Sequence, residues 1–300
     1  MRLAIWGIGD HAKKNLIPAA IEAKDIEFIG IYSRNKKTVT ETSLKYNCKS
    51  WVSQEEMLAD TRLDAIFLST PPALHFRQGN MILNSGKHFI CEKPITTNFR
   101  ETELLLKSAK ERNLVILEAY MFLYHPHFLK IKEIIKNEIN SLKEIDVVFE
   151  LPELSSPGFR FSSNLGASCL YDVGSYTVLT ILELFGDHSV ELLDSDIRSY
   201  AKSKVDYSGK ATLLINNKII CNIRWSYNSK YVNKISIKCS NKETISHKIF
   251  SKDQDYEPLI LTKYNNGDIS EEKVEATNHF VSMLESFVDC STSIKKRNLE

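Results

Sequence analysis

Near its amino terminus the chain reads Gly7-Ile8-Gly9-Asp10-His11-Ala12, directly after the apolar run Arg2–Trp6. Residues of these types at this spacing suit a phosphate. A tight turn needs Gly7, close approach of a pyrophosphate needs a side-chain-free Gly9, and strand–helix packing needs a small third residue, here Ala12. The free N–H groups and the positive end of a helix opening at this turn would face the anion. Any tight strand-to-helix turn can use the same glycines, so the motif takes its meaning from the strand before it and the helix after it. About 20 residues beyond such a loop, a carboxylate usually holds the ribose 2′-hydroxyl of NAD. This chain instead has Tyr32-Ser33-Arg34-Asn35-Lys36-Lys37. The Ser33 hydroxyl and Arg34 guanidinium suit a 2′-phosphate and no acid opposes it, so NADP(H) is favoured over NAD(H). A solvated basic helix start would carry the same residues.

Asp172 and Tyr176 are four apart and share one face if they lie on a helix; an amphipathic core tyrosine has the same spacing. Cys91-Glu92-Lys93-Pro94, taken alone, is a strand-end turn with a surface lysine. His125-Pro126-His127 brings two imidazoles together, but no cysteine or acid stands at ligand spacing and the proline prevents the four-residue helical pairing that metal sites favour. No metal is therefore expected. No GxSxG, HExxH or P-loop occurs, and the short basic stretch Lys295-Lys296-Arg297 reads as a solvated end.

The elements that must position these residues change character along the chain. Arg2–Trp6, Glu27–Ile31, Asp64–Leu68, His88–Cys91 and Leu114–Leu117 are short apolar runs suited to strands buried on both faces. Between them, Lys13–Ala23, Leu74–Asn84 and Arg100–Arg112 carry apolar residues on one helical face. This alternation predicts a doubly wound parallel sheet. After about residue 122 one more helix, Pro126–Lys136, precedes long segments with a two-residue period. In Ile219–Tyr227, Ile, Cys, Ile, Trp and Tyr face one way, and Asn222, Arg224 and Ser226 the other; Ile235, Ile237 and Cys239 alternate likewise. Asn216-Asn217 and Asn266-Gly267 fall where hairpin turns belong. The second half is therefore expected to be α+β, with a large, mostly antiparallel sheet that leaves one face to solvent or a partner.

Composition bounds the rest. The 300 residues hold 39 basic against 38 acidic side chains, so no field of one sign awaits a nucleic acid or an anionic membrane. Hydrophobic residues at 43% and charged residues at 26% make a soluble globular mixture, large enough for two domains, and exclude disorder and fibrous repeats. The longest apolar runs fall short of the ~20 residues of a membrane helix, and Gly7 arrives too early for a signal-peptide core. Cys48, Cys91, Cys169, Cys221, Cys239 and Cys290 contain no CxxC pair and read as reduced residues of a cytoplasmic protein.

Taken together, Gly7–Ala12, Thr70-Pro71-Pro72, Cys91-Glu92-Lys93-Pro94, Glu118-Ala119-Tyr120-Met121, Phe159-Arg160 and Leu165-Gly166-Ala167-Ser168-Cys169-Leu170-Tyr171-Asp172-Val173-Gly174-Ser175-Tyr176 resemble the Gfo/Idh/MocA oxidoreductase family, in the right order from about residue 2 to residue 290. The resemblance implies a Rossmann dinucleotide-binding domain over 1–122 and an α+β substrate-binding and oligomerisation domain over 123–300. It implies an NAD(P)-dependent enzyme acting on a sugar, nucleotide-linked sugar or related polyol, or, as the alternative, a sensor that keeps the fold without the chemistry. The cofactor would lie along Gly7, Ile8, Gly9, Asp10, His11, Ala12, Ser33, Arg34, Thr70, Pro71, His75, Glu92 and Lys93.

The family match further implies that Lys93 lies beside the nicotinamide and the reacting carbon. Hydride transfer to or from a carbinol leaves an oxygen that must gain or lose a proton, and a cation beside it stabilises the developing alkoxide. Tyr176 would be the proton donor or acceptor, where many relatives have His. Asp172 would hold a substrate hydroxyl or orient the tyrosine. Tyr120 and Arg160, with Lys93, Asp172 and Tyr176, would complete the substrate site. The family pairs subunits through the open face of its second sheet, which implies a homodimer or homotetramer. Three departures stand out. Gly166-Ala167-Ser168 replaces the three glycines common in relatives, Met121–His125 lacks their frequent Arg, and the chain stops at Glu300, sooner than most members. The pocket-shaping loops 151–170 and 228–234 carry no readable substrate code.

Overall fold

The computed structural model describes residues 1–153 and 158–297. The chain divides into two compact units, Met1–Met121 with the C-terminal helix His279–Arg297, and Phe122–Asn278. The change of pattern near residue 122 coincides with the passage from one to the other. The last helix, which lies in the 123–300 span that the resemblance assigns to the second domain, groups instead with the first unit. There Phe287 meets the edge of the His88 ring at 6.4 Å, the Glu285 carboxylate accepts from Lys24 N–H at 3.1 Å, and Met283, Leu284 and Phe287 are buried.

Among the described residues the first unit has the strands β1 (Arg2–Trp6), β2 (Glu27–Tyr32), β3 (Lys49–Ser50), β4 (Ala65–Leu68), β5 (His88–Cys91) and β6 (Ile116–Glu118). They form one parallel sheet in the order β3-β2-β1-β4-β5-β6, the doubly wound order of dinucleotide-binding folds. Four-residue β4 and β5 are buried throughout, which is why they read as unbroken apolar runs. The helices are α1 (Ile17–Glu22), α2 (Lys36–Tyr46), α3 (Gln54–Ala59), α4 (His75–Asn84) and α5 (Phe99–Glu111). β3, α2 and α3 went unread in the sequence. β3 has only two residues, and α2 and α3 are polar helices started by side-chain caps from Asn35 and Ser53.

The second unit has α6 (Pro126–Glu138), α7 (Ser175–Phe185) and the strands β7 (Leu142–Glu150), β8 (Val190–Ser199), β9 (Asp206–Ile215), β10 (Ile219–Ser226), β11 (Val232–Cys239), β12 (Lys242–His247), β13 (Leu259–Tyr264) and β14 (Ile269–Lys273). The sheet runs β14-β13-β12-β11-β7-β10-β9-β8 and is antiparallel except where β7 meets β10. Ile219, Cys221, Ile223 and Trp225 are buried, and α7 packs over β7 and β10. Arg224 is exposed on the opposite face. Asn216 and Asn217, both at positive φ (49° and 55°), turn β9 into β10, and Gly267 (φ 95°) turns β13 into β14. The segment Ser163–Phe185, a 3-10 turn followed by a π-helical turn and α7, is long and apolar enough by composition to cross a membrane, contrary to the run-length reading of the sequence. It contains Asp172, and Tyr176, Thr177, Thr180, Ile181 and Phe185 on it are buried.

Candidate active site

The glycine loop joins β1 to a helix that begins as a π-helical turn, Ala12–Leu16, and continues as α1. Gly7 has φ +105°, and a Cβ there would lie 2.2 Å from the Ser69 carbonyl oxygen, so only glycine lets the loop pass this close to the end of β4. A Cβ on Gly9 would meet nothing within 4 Å, so the loop leaves open space at the position where a pyrophosphate needs it. Ala12 is completely buried, as the third small residue should be. These features fit a dinucleotide, with the N–H groups of residues 9–12 and the helix end toward its phosphates. His11 ties the loop to the next strand end but one. Its Nδ1 faces the Asn15 amide at 3.0 Å, and its Nε2 faces the Glu92 carboxylate at 3.1 Å. At the end of β2, Arg34 is exposed and has no ion pair among the described residues, while Asn35 is occupied in capping α2.

Lys93 follows β5 in a loop fixed through its main chain. Glu92 N–H donates to Leu68 O at 2.9 Å, a cis peptide joins Lys93 to Pro94, and Ile95 N–H donates to the Glu118 carboxylate at 2.7 Å. His75 Nδ1 lies 2.7 Å from Pro94 O, and its Nε2 lies 2.7 Å from Thr70 O. Burial lowers the His75 pKa, while these two carbonyls and Glu92 favour its charged form. Fully buried, with both nitrogens on main-chain oxygens, His75 binds the ends of β4 and β5 to each other rather than offering a nitrogen to the cofactor. Two carboxylates flank Lys93. Burial pushes Glu92 up, but the His11 and Lys93 charges outweigh it and leave its pKa below the ordinary carboxylate value. Glu118 is held above that value by burial, against the Ile95 N–H and Lys93. Tyr120, just after β6, is buried.

In the second unit Asp172 lies in a π-helical turn, Leu170–Gly174, that runs directly into α7. Such turns recur at functional sites. Gly174 lets this turn rest on β10, because a Cβ there would press on the Trp225 ring at 2.9 Å. The Asp172 Oδ2 accepts from Arg160 Nε at 2.5 Å and from the Tyr227 hydroxyl at 2.8 Å. Tyr176, buried on the first turn of α7, packs its ring on Phe149, Phe122 and Phe250 at 5.4, 5.5 and 5.5 Å. His125 and His127 have structural partners. His125 Nδ1 accepts from His127 N–H to cap α6, and His127 Nε2 lies 2.6 Å from the Ser246 hydroxyl.

Gly7–Ala12, Ser33, Arg34, Thr70, Pro71, Glu92 and Lys93 thus gather at the carboxyl ends of β1, β2, β4 and β5, and Arg160, Asp172 and Tyr176 gather in the second unit. Part of the loop 151–170, residues 154–157, lies outside the described residues, as does the Leu299-Glu300 end. Sequence reasoning missed Tyr227. Its inward alternation along β10 was legible, but its bond to Asp172 was not.

Models of the Gfo/Idh/MocA oxidoreductase family match the chain twice. Its NAD-binding Rossmann fold matches residues 1–120, and its C-terminal domain matches residues 128–244. A dTDP-3,4-didehydro-2,6-dideoxy-alpha-D-glucose 3-reductase of Saccharopolyspora spinosa is 24% identical over 262 residues, 87% of this chain and 78% of that one. An NADP(+)-dependent scyllo-inositol 2-dehydrogenase of Bacillus subtilis is 27% identical over 236 residues, 73% of this chain and 70% of the other. In fold, the chain is similar to a 3-ketoreductase from Actinomadura kijaniata solved with NADP and TDP-benzene, with a TM-score of 0.92 at 21% identity over 98% of this chain and 90% of that one.

Proposed function

Because this chain belongs to the Gfo/Idh/MocA oxidoreductase family, we propose that it moves a hydride between NADP(H) and a carbinol or carbonyl carbon of a sugar, nucleotide-linked sugar or related polyol. The observation that carries this reading is the placement of Lys93 at the carboxyl end of β5, on the same sheet edge as the glycine loop. In doubly wound sheets this edge is where ligands bind. The bound nicotinamide would supply or accept the hydride. Gly7–Ala12 would hold the pyrophosphate, and Ser33 and Arg34 the 2′-phosphate. Thr70, Pro71 and Glu92 would border the nicotinamide end, and Tyr120 the substrate.

The chain's own residues manage the charge and the proton. Lys93 stabilises negative charge developing on the substrate oxygen. The Tyr176 hydroxyl gives or takes the accompanying proton. Asp172, held as an anion by Arg160, accepts from a neighbouring substrate hydroxyl. The NADP preference is supported by the uncommitted Arg34, by the absence of an acid at the end of β2, and by the NADP named for the relatives from B. subtilis and A. kijaniata. Free cysteines accord with a cytoplasmic setting. The polar face of the second sheet, with Asn222, Arg224, Lys234 and Ser236, is the surface proposed for pairing two or four copies. Monomer by light scattering at micromolar concentration removes that assembly.

A panel of ketosugars, aldoses and nucleotide-linked sugars, followed by NADPH absorbance and mass spectrometry, tests the activity. Turnover of at least one is expected. Tight NADPH binding with no turnover of any replaces the enzyme by a cofactor-binding sensor.

A further inference from the structure

Three elements of the second unit meet at one oxygen. Arg160, in the 3-10 turn Gly158–Phe161, donates Nε to Asp172 Oδ2 at 2.5 Å, and Tyr227, one residue past β10, donates its hydroxyl to the same oxygen at 2.8 Å. Tyr227 is 1% exposed. A phenylalanine would fill this space without burying a hydroxyl, and a buried hydroxyl is tolerated where it is bonded. The phenol has one proton and two acceptors within reach, Asp172 Oδ2 at 2.8 Å and Ser168 O at 3.5 Å. The shorter, charge-assisted bond takes the proton. Burial, reinforced by the Asp172 charge, pushes the Tyr227 phenol far above its ordinary value, so it keeps its proton at every working pH. Burial also opposes the Arg160 charge, and Asp172 more than restores it.

One donor would fix a carboxylate oxygen but leave the group free to turn about the soft terminal torsion of aspartate. Two donors from different elements, aimed at the same oxygen, remove that freedom. We infer that Tyr227 is a positioning residue, which with Arg160 locks Asp172 as an ionised acceptor for a substrate hydroxyl and exchanges no proton with the substrate itself. The inference rests on the hydride-transfer reading above.

Tyr227→Phe keeps the ring and deletes the bond. In steady-state assays kcat/KM should fall by roughly 10- to 100-fold, the size of a hydrogen bond to a charged group, while NADPH affinity and melting temperature stay near wild type. The acid limb of the kcat/KM profile should move to higher pH, because the anion of Asp172 loses a donor. In an Asp172→Asn background, Tyr227→Phe should add less than about twofold. Independent losses, or an unmoved acid limb, overturn the assignment. If Tyr227→Phe does not fold, Arg160→Gln, which removes the other donor, must produce the same shift of the acid limb. A readout free of turnover comes from carboxyl-labelled aspartate followed by NMR, with Asp172 identified by its loss in Asp172→Asn. Its titration should move up in Tyr227→Phe, and an unmoved midpoint overturns the inference. A moved midpoint in a protein that turns over no sugar overturns the hydride reading and leaves the positioning bond established.

Discussion

In the first unit the loop that presents Lys93 is fixed through its main chain, by His75 on Pro94 O, Glu118 on Ile95 N–H and Leu68 O on Glu92 N–H. In the second unit Asp172 is fixed through its own carboxylate, by Arg160 and Tyr227. A loop held by its backbone can carry different side chains without losing its path. An anion held by side-chain donors loses orientation and becomes easier to protonate when either donor goes. The cation site should therefore tolerate substitution of the lysine structurally while losing chemistry, whereas the anion site couples structure and charge.

The largest effects test whether the two units contribute to one reaction. Lys93→Met should reduce kcat by about 10³-fold or more with NADPH affinity retained, and Tyr176→Phe by ~10²- to 10⁴-fold, the range for losing a general acid. Near-full turnover in Tyr176→Phe beside a dead Lys93→Met would make Lys93 itself the acid and reduce the tyrosine to a wall. If neither change matters, the comparison between the units has no catalytic content.

A smaller effect sharpens the first unit's side. Arg34→Ala should weaken NADPH by ~10- to 100-fold while scarcely changing NADH, as a charge-assisted bond to the 2′-phosphate requires. Equal losses for both nucleotides, measured by fluorescence titration, would remove Arg34 from the cofactor site.

The smallest sharpens the second. Lys252 has Ile249 O, 3.0 Å away, as an acceptor and no carboxylate partner among the described residues, and burial brings its pKa down from 10.5 to about 7. Between those values the unfolded chain binds a proton that the folded chain does not, so this residue's contribution to stability improves as pH rises through that window. Lys252→Met should melt a few degrees above wild type at pH 7, with the gap closing toward pH 10. A constant gap would show that its amine is not paying a burial cost.

The same contrast explains what was legible in the sequence. The glycine loop, β5 and the residues around Lys93 lie in contiguous words, each set by local backbone demands, and the parallel sheet followed from unbroken apolar runs. Asp172 and Tyr176 were legible as neighbours on a helix, and Tyr227 as the inward position just past β10. Their partnership was not, because Tyr227 lies 55 residues from Asp172 and sheet register alone decides which helix turn it reaches. The burial of both His75 nitrogens was hidden for the same reason, since its partner Pro94 lies beyond the next strand. The return of the C-terminal helix to the first unit has no local signature at all.

β8 ends the second sheet with Val190, Leu192, Leu193 and Ile197 all exposed, whereas β14 at the other edge exposes Ile269 together with Glu271, Glu272 and Lys273. An uncovered apolar edge is a template for a further strand. What guards β8 is a register shift between Leu192 and Asp194, which bends its backbone, and the carboxylates of Glu191, Asp194 and Asp196. The second guard is electrostatic, so it weakens when salt screens it. Screening those charges should therefore open β8 to pairing with a further strand, which light scattering would read as association rising with salt.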